Sequence, residues 1–204
     1  MNFKFKTNNE LSNLENTNCT TIQEVAELTS SLNREIYLNA ITPTEIDNIC
    51  KIIQLWNRID EQNNINFSAR KPIIIYIDSQ GGVLSSTFTL MDCIKLSKTP
   101  VYTVNIGLAH KEAFYIFLQG HKRYSYPRAS FLIEKSIQQF TEDDIQSNYQ
   151  YFCEKQLVEL KDLVLEKTKV SENDYLDRNR WWIDADKAFE LKICNEILRT
   201  SLRP

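Results

Sequence analysis

With 204 residues, 42% of them hydrophobic, the chain is long enough to bury a substantial core and short enough to form one domain. A charged fraction of 25% and a formal net charge of -3 leave no basic excess, which argues against a nucleic-acid partner. No apolar run approaches the roughly 20 residues that span a bilayer, the polar N-terminus lacks a signal-peptide core, and five scattered cysteines without CxxC spacing suggest neither a disulfide framework nor a zinc site, so the expected setting is cytoplasmic.

Residues 1–20 are Asn-rich and aperiodic, and are read as a flexible N-terminal arm ahead of a single domain over residues 21–204. Residues 21–32 have a weak helical spacing. A short strand is expected over residues 34–39, and Pro43 then opens a helix with Ile46, Ile49, Cys50, Ile53 and Leu55 on one face. After a polar loop, residues 72–77 (PIIIYI) form a β-branched run of the kind covered on both faces of a sheet. The run ends at Asp78-Ser79-Gln80-Gly81-Gly82.

The pattern then gives a helix over residues 85–96, a strand over 100–106, and a helix over 109–119 with Gly120 as its C-terminal cap. Residues 123–127 are read as a turn, residues 131–133 as a third buried strand, and residues 143–167 as one long amphipathic helix. A short segment at 174–179, the pair Trp181-Trp182, a helix over 184–191 and a strand-like stretch at 193–198 complete the chain. Strands alternating with helices at this spacing imply βαβ crossovers and a largely parallel sheet. The chain has only four glycines, so each is expected where the backbone tolerates no Cβ.

Three stretches carry a resemblance: Asp78 to Gly82 after the buried strand, Gly107-Leu108-Ala109-His110-Lys111-Glu112-Ala113, and Gly120-His121-Lys122-Arg123 followed by Tyr126-Pro127. Together they resemble the Clp protease proteolytic subunit (ClpP) family, within the crotonase-like superfamily, over about residues 34–198, nearly all of the chain. The resemblance implies an α/β fold of repeated ββα units with a protruding strand-helix handle. It also implies a heptameric ring and an AAA+ partner.

The family's nucleophilic serine falls on Lys111. Its catalytic histidine, which follows a hydrophobic strand, falls on Glu134 after Phe131-Leu132-Ile133, and its aspartate falls on Arg180, one residue after Asn179. A serine peptidase needs a hydroxyl, a base near neutral pKa and an orienting carboxylate, and none of the three positions supplies its equivalent. A neighbouring carboxylate would also hold a lysine in its charged, non-nucleophilic form.

Two readings of these side chains stay open: an ion network of Lys111, Glu134 and Arg180, with His110 or Asp78 as further members, or three separately solvated groups. The resemblance assigns an oxyanion hole to the backbone N–H groups of Gly82 and Glu112, in the turn that Gly81 begins. The plainer alternative is that Gly81-Gly82 only turns the strand into the helix. His110 is expected on the helix beside Lys111, packing there, and His121 is expected as a structural surface residue. Residues 136–143 lack the glycines through which family rings dock and hold peptide.

The expectation is therefore a catalytically inactive Clp-type subunit, not itself an enzyme, with a structural or regulatory role in a ring. Expected partners are further copies of itself or an active paralogue, or both, and an AAA+ unfoldase; Tyr76, Tyr102 and Phe117 are candidate aromatics for its sockets, with surface and core placement both open. No cofactor, metal, nucleic acid or membrane is expected. The alternatives are rebuilt chemistry at Lys111 and Glu134, as a Lys111-centred hydrolase or a crotonase-like acid-base enzyme using Glu134 and Glu112, or an adaptor or inhibitor of an active Clp protease or its unfoldase.

Overall fold

A computed structural model describes residues 29, 30, 32–135 and 141–204. The fold below is that of Glu35–Pro204, a unit separate from Met1–Arg34. The arm expected over residues 1–20, its boundary with the domain and most of the glycine-free stretch at 136–143 lie outside the described residues. Of the helix expected over 21–32, residues 29, 30 and 32 are described and helical.

Strand β1 (Glu35–Leu38) leads to helix α1 (Pro43–Gln62). Thr42 caps α1 by accepting from the Glu45 N–H at 3.2 Å, and Pro43 opens the first turn, where its missing N–H costs nothing. Ile46, Ile49, Cys50 and Ile53 are buried, whereas Leu55, one step around the helix, is exposed. Strand β2 (Ile73–Ser79) buries both faces over its first five residues, as its β-branched run requires. Helix α2 (Leu84–Leu96), strand β3 (Val101–His110), helix α3 (Glu112–Gln119), strand β4 (Lys122–Ser125) and strand β5 (Ser130–Glu134) follow. Then come α4 (Glu142–Gln146), α5 (Tyr149–Lys167), α6 (Glu172–Asp177), β6 (Arg180–Asp184), α7 (Ala185–Glu190) and β7 (Glu196–Ile197).

The sheet runs β1-β2-β3-β4-β7, all parallel, and forks at β3. The first half of β3 pairs with β4 through Tyr102 to Asn105, and its end pairs with β5 through Leu108 to His110. Strand β6 lies antiparallel on β5. At the fork the β2–β3 register shifts between Ile77 and Ser79, which would leave backbone donors unpaired. Side chains supply the partners: Leu108 N–H donates to Asp78 Oδ1 at 3.0 Å, and Gly107 N–H to Asn105 Oδ1 at 3.1 Å. Asn105 also donates to the Ser130 carbonyl at 2.8 Å, tying β5 to the fork.

The main core lies between the sheet and its helices, where Phe114 and Phe117 of α3 pack with Phe131. A smaller cluster of Ile74, Tyr76, Val104, Tyr124 and Leu198 covers the opposite sheet face. Among the described residues, no helix is long and apolar enough to cross a membrane.

Several expected elements differ. Strand β3 continues through His110, and α3 begins at Glu112 rather than at residue 109, because pairing with β5 keeps Leu108 to His110 extended. His110 is thus a strand residue, not a helical neighbour of Lys111. The turn expected at 123–127 begins inside a strand, β4, and the Trp pair belongs to strand β6. The long helix is broken at Asn148, whose left-handed φ of 60° separates α4 from α5. Gly120 ends α3 with φ of -54°, so it does not serve as a left-handed cap. It is needed for space, since a Cβ there would lie 2.3 Å from Thr103 Oγ1.

Candidate functional site

Two strand-to-helix turns meet at the C-terminal ends of β2 and β3, where ligand sites of parallel sheets form. In the first, Gly81 has φ of 105°, a conformation that side chains rarely adopt. Gly82 bridges to Ile41, and the next residue, Val83, donates its N–H to the Ile41 carbonyl at 2.9 Å. A Cβ on Gly82 would lie 2.3 Å from that carbonyl oxygen, so the chain can pass only as glycine.

The second turn has Lys111 at its apex, with φ of 53° and ψ of -119°. A non-glycine residue in this region is strained by on the order of 1–3 kcal/mol. The ends of the turn hold it there: Lys111 N–H donates to the Leu132 carbonyl at 2.9 Å, and its own carbonyl accepts from Phe114 N–H at 3.0 Å. A sharp strand-to-helix turn of this kind is how α/β hydrolases hold a nucleophile clear of the sheet. Here the apex side chain is an ammonium.

The structure brings Lys111, Glu134 and Arg180 together. Lys111 Nζ lies 3.4 Å from Glu134 Oε1, and Arg180 Nε lies 2.9 Å from Glu134 Oε2. Glu134 and Arg180 face each other directly across the β5–β6 ladder, which fixes their approach. The carboxylate is 24% exposed, against 44% and 61% for the two cations. Among the described residues, Glu134 Oε2 accepts no aligned hydrogen bond, so Arg180 meets it as a charge contact.

His110 and Asp78 are not members of these ion pairs. His110 is buried, its Nε2 lies 3.0 Å from Ser130 Oγ, and its ring packs edge-on to Trp182 at 4.8 Å. Burial lowers its pKa, opposed by Asp78 and assisted by the Lys111 charge. Asp78 is engaged by the Leu108 N–H. His121 is exposed, with Nδ1 accepting from Val101 N–H at 3.0 Å, a structural place at a strand start.

Sequence reasoning missed the contact that the Glu112 side chain makes with the first turn. Glu112 Oε2 accepts from Gly82 N–H at 3.1 Å, and a Cβ built on Gly81 would lie 2.5 Å from that oxygen. The sequence signalled only an acidic residue in the first turn of a helix, where it complements the helix dipole. Of the three candidate surface aromatics, Phe117 belongs to the core and Tyr76 is 4% exposed. Tyr102 is half-buried with Lys122 Nζ 5.4 Å from its ring centre, and exposed Tyr37 stacks on Tyr76 at 5.1 Å. Among the described residues, no group of three or more His, Cys, Asp or Glu side chains is gathered as a metal site would require.

The family model described as Clp protease matches residues 24–201. The chain belongs to the Clp protease family. Among its curated relatives is the ATP-dependent Clp protease proteolytic subunit 2 of Treponema denticola, 32% identical over 142 residues that make up 66% of this chain and 70% of that protein. The same-named subunit of Borreliella burgdorferi is 30% identical over 139 residues, 64% of this chain and 69% of that protein. Among solved structures, a ClpP1 mutant from Listeria monocytogenes superposes with a TM-score of 0.70 at 22% identity, covering 85% of this chain and 95% of that one, which shows the shared fold.

These findings correct the expectation that the chain is not an enzyme. The family is a protease family, and the relatives are named proteolytic subunits. The expectation rested on three side chains placed by short motifs, whereas the similarity to peptidase subunits runs over most of the chain.

Proposed function

We propose that this chain is a subunit of a Clp-type peptidase ring, assembling with copies of itself or with a paralogue, and that its role there is structural or regulatory. The observation that supports this reading is the Lys111–Glu134–Arg180 network at the apex of the strained turn. The family resemblance puts Lys111, Glu134 and Arg180 at the serine, histidine and aspartate positions. To that assembly the chain contributes ring geometry and a peptide-facing pocket.

An ATP-driven unfoldase is the second partner proposed, since the relatives are named ATP-dependent. Exposed Tyr37 and half-buried Tyr102 are the aromatic candidates for its docking. Native mass spectrometry of the chain, alone and mixed with an active Clp proteolytic subunit, tests the assembly. Hydrolysis of a short fluorogenic peptide by the same samples tests the role. The reading expects ring masses that contain this chain and a rate per ring that changes when it enters mixed rings. Monomers in both samples, with hydrolysis unchanged by mixing, would overturn it.

A further inference from the structure

The side chain of Glu112 occupies a place where the first turn offers a backbone donor. Gly82 N–H points out of the first turn, and the oxygen it meets is Glu112 Oε2 at 3.1 Å. The fit is close. Gly81 has no Cβ, and one added there would come within 2.5 Å of the same oxygen and 3.0 Å of Lys111 Cβ. The two turns therefore leave a slot with room for an acceptor oxygen, and this chain fills it with its own carboxylate.

A carboxylate oxygen on a backbone N–H presents the same acceptor chemistry as a peptide carbonyl or a peptide C-terminus. Glu112 is the first residue of α3 and is only partly buried, so rotation of its side chain vacates the slot without moving the backbone. The donor itself is held fixed by the bridge of Gly82 to Ile41. A rigid donor facing a rotatable acceptor is an arrangement in which an outside acceptor can replace the internal one.

We propose that the Glu112 carboxylate is a built-in stand-in for a peptide acceptor group, which keeps the Gly82 donor closed until a peptide displaces it. This rests on the reading of the chain as a peptidase-ring subunit with a peptide-facing pocket. Glu112 is thus a gating residue for peptide binding. It stabilises the unliganded pocket and lowers peptide affinity by the strength of the contact that must be given up.

The test is fluorescence anisotropy with a labelled, N-acetylated, C-amidated neutral peptide, so that losing a negative charge on the protein has no direct Coulomb effect on binding. Glu112→Ala is expected to bind about three- to tenfold more tightly than the natural chain, the range set by the net worth of one hydrogen bond. Glu112→Asp, which keeps the charge but falls one methylene short of Gly82, should show a similar gain, and Glu112→Gln, which keeps an acceptor, a smaller one. Unchanged or weaker binding in both Ala and Asp variants would overturn the proposal.

A second readout uses the natural protein and so does not depend on the variants folding. Carbodiimide-driven amidation of Glu112, located by peptide mass spectrometry, should rise when saturating peptide drives the carboxylate out of the slot. Labelling that is unchanged or lowered by peptide overturns the displacement. Native mass spectra of the same samples separate the two claims: absence of rings counts against the assembly reading, whereas the affinity and labelling results bear on Glu112 alone.

Discussion

The Lys111–Glu134–Arg180 network predicts an asymmetry between its members that separately solvated side chains would not show. Glu134 is the shared and most shielded partner, with both cations reaching it from more exposed positions. Partly exposed ion pairs contribute about 0.2–1 kcal/mol each. Glu134→Gln removes both pairs at nearly constant volume and leaves two cations facing one another, so its cost should be about 1–2 kcal/mol. In a chain of this size that lowers the melting temperature by roughly 2–8 °C. Lys111→Met removes only the longer contact of 3.4 Å, and Arg180→Gln only the 2.9 Å one, so each should cost about 1 kcal/mol or less.

Urea denaturation at a fixed protein concentration reads these differences as shifts in midpoint at constant slope, because assembly adds its own stabilisation. The double variant Glu134→Gln with Arg180→Gln should be less destabilised than the sum of its parts, with a coupling of at least about 0.5 kcal/mol. Raising ionic strength from 0.1 to 1 M shortens the screening length from about 10 to about 3 Å and should shrink the Glu134→Gln penalty. A penalty below about 0.3 kcal/mol at low salt, or one equal to that of each single cation variant, would refute the network and leave the side chains independently solvated.

Further outcomes follow from three buried groups. Burial depresses the His110 pKa below its ordinary value, so folding is favoured above that value and loses stability as pH falls below about 6.5; His110→Gln should flatten the stability–pH curve between pH 6.5 and 5. Thr99 Oγ1 donates to Asp60 Oδ2 at 2.7 Å with both residues 0% exposed, so Asp60→Ala should cost about 1–3 kcal/mol in the denaturation midpoint. Burial pushes the Cys194 thiol up to about 11 from 9.0, so iodoacetamide at pH 8 should leave it unmodified until the chain is unfolded. The same shift removes stability as pH rises from 9.0 through about 11, which an alkaline denaturation series would register.

The alternating elements and their parallel sheet were legible because β-branched runs such as Ile73 to Ile77 and glycine-punctuated turns carry strong local signals. The fork at β3 was not. Ala109 and His110 read as the start of a helix because Ala109 and the apolar residues after it suit one, and only the distant pairing of Leu108 to His110 with Ser130 to Leu132 holds them extended. Tertiary pairing overrode local propensity there. The break in the long helix depends on left-handed Asn148, which no periodicity reveals. At the site, the meeting of Lys111 and Glu134 followed from motif positions, and the Arg180 contact follows from the antiparallel β5–β6 register. The Glu112 contact was hidden because it joins turns thirty residues apart through a side chain that rotates freely in an unfolded chain.

The turns that carry the site are held by groups other than those that fill it. Lys111 keeps its positive φ because its N–H is fixed to Leu132 and because α3 anchors the turn through Phe114 and Phe117, both fully buried. Gly82 keeps its donor exposed because the adjoining backbone is fixed to Ile41. The charged ends of Lys111, Glu134, Arg180 and Glu112 take no part in those constraints, so the chemistry at their tips can vary while the scaffold stays intact. Stability and ligand binding should therefore respond to different substitutions: Glu134→Gln should move the denaturation midpoint more than peptide affinity, and Glu112→Ala the reverse. One variant shifting both measurements together would show that the pocket and its scaffold are a single cooperative unit.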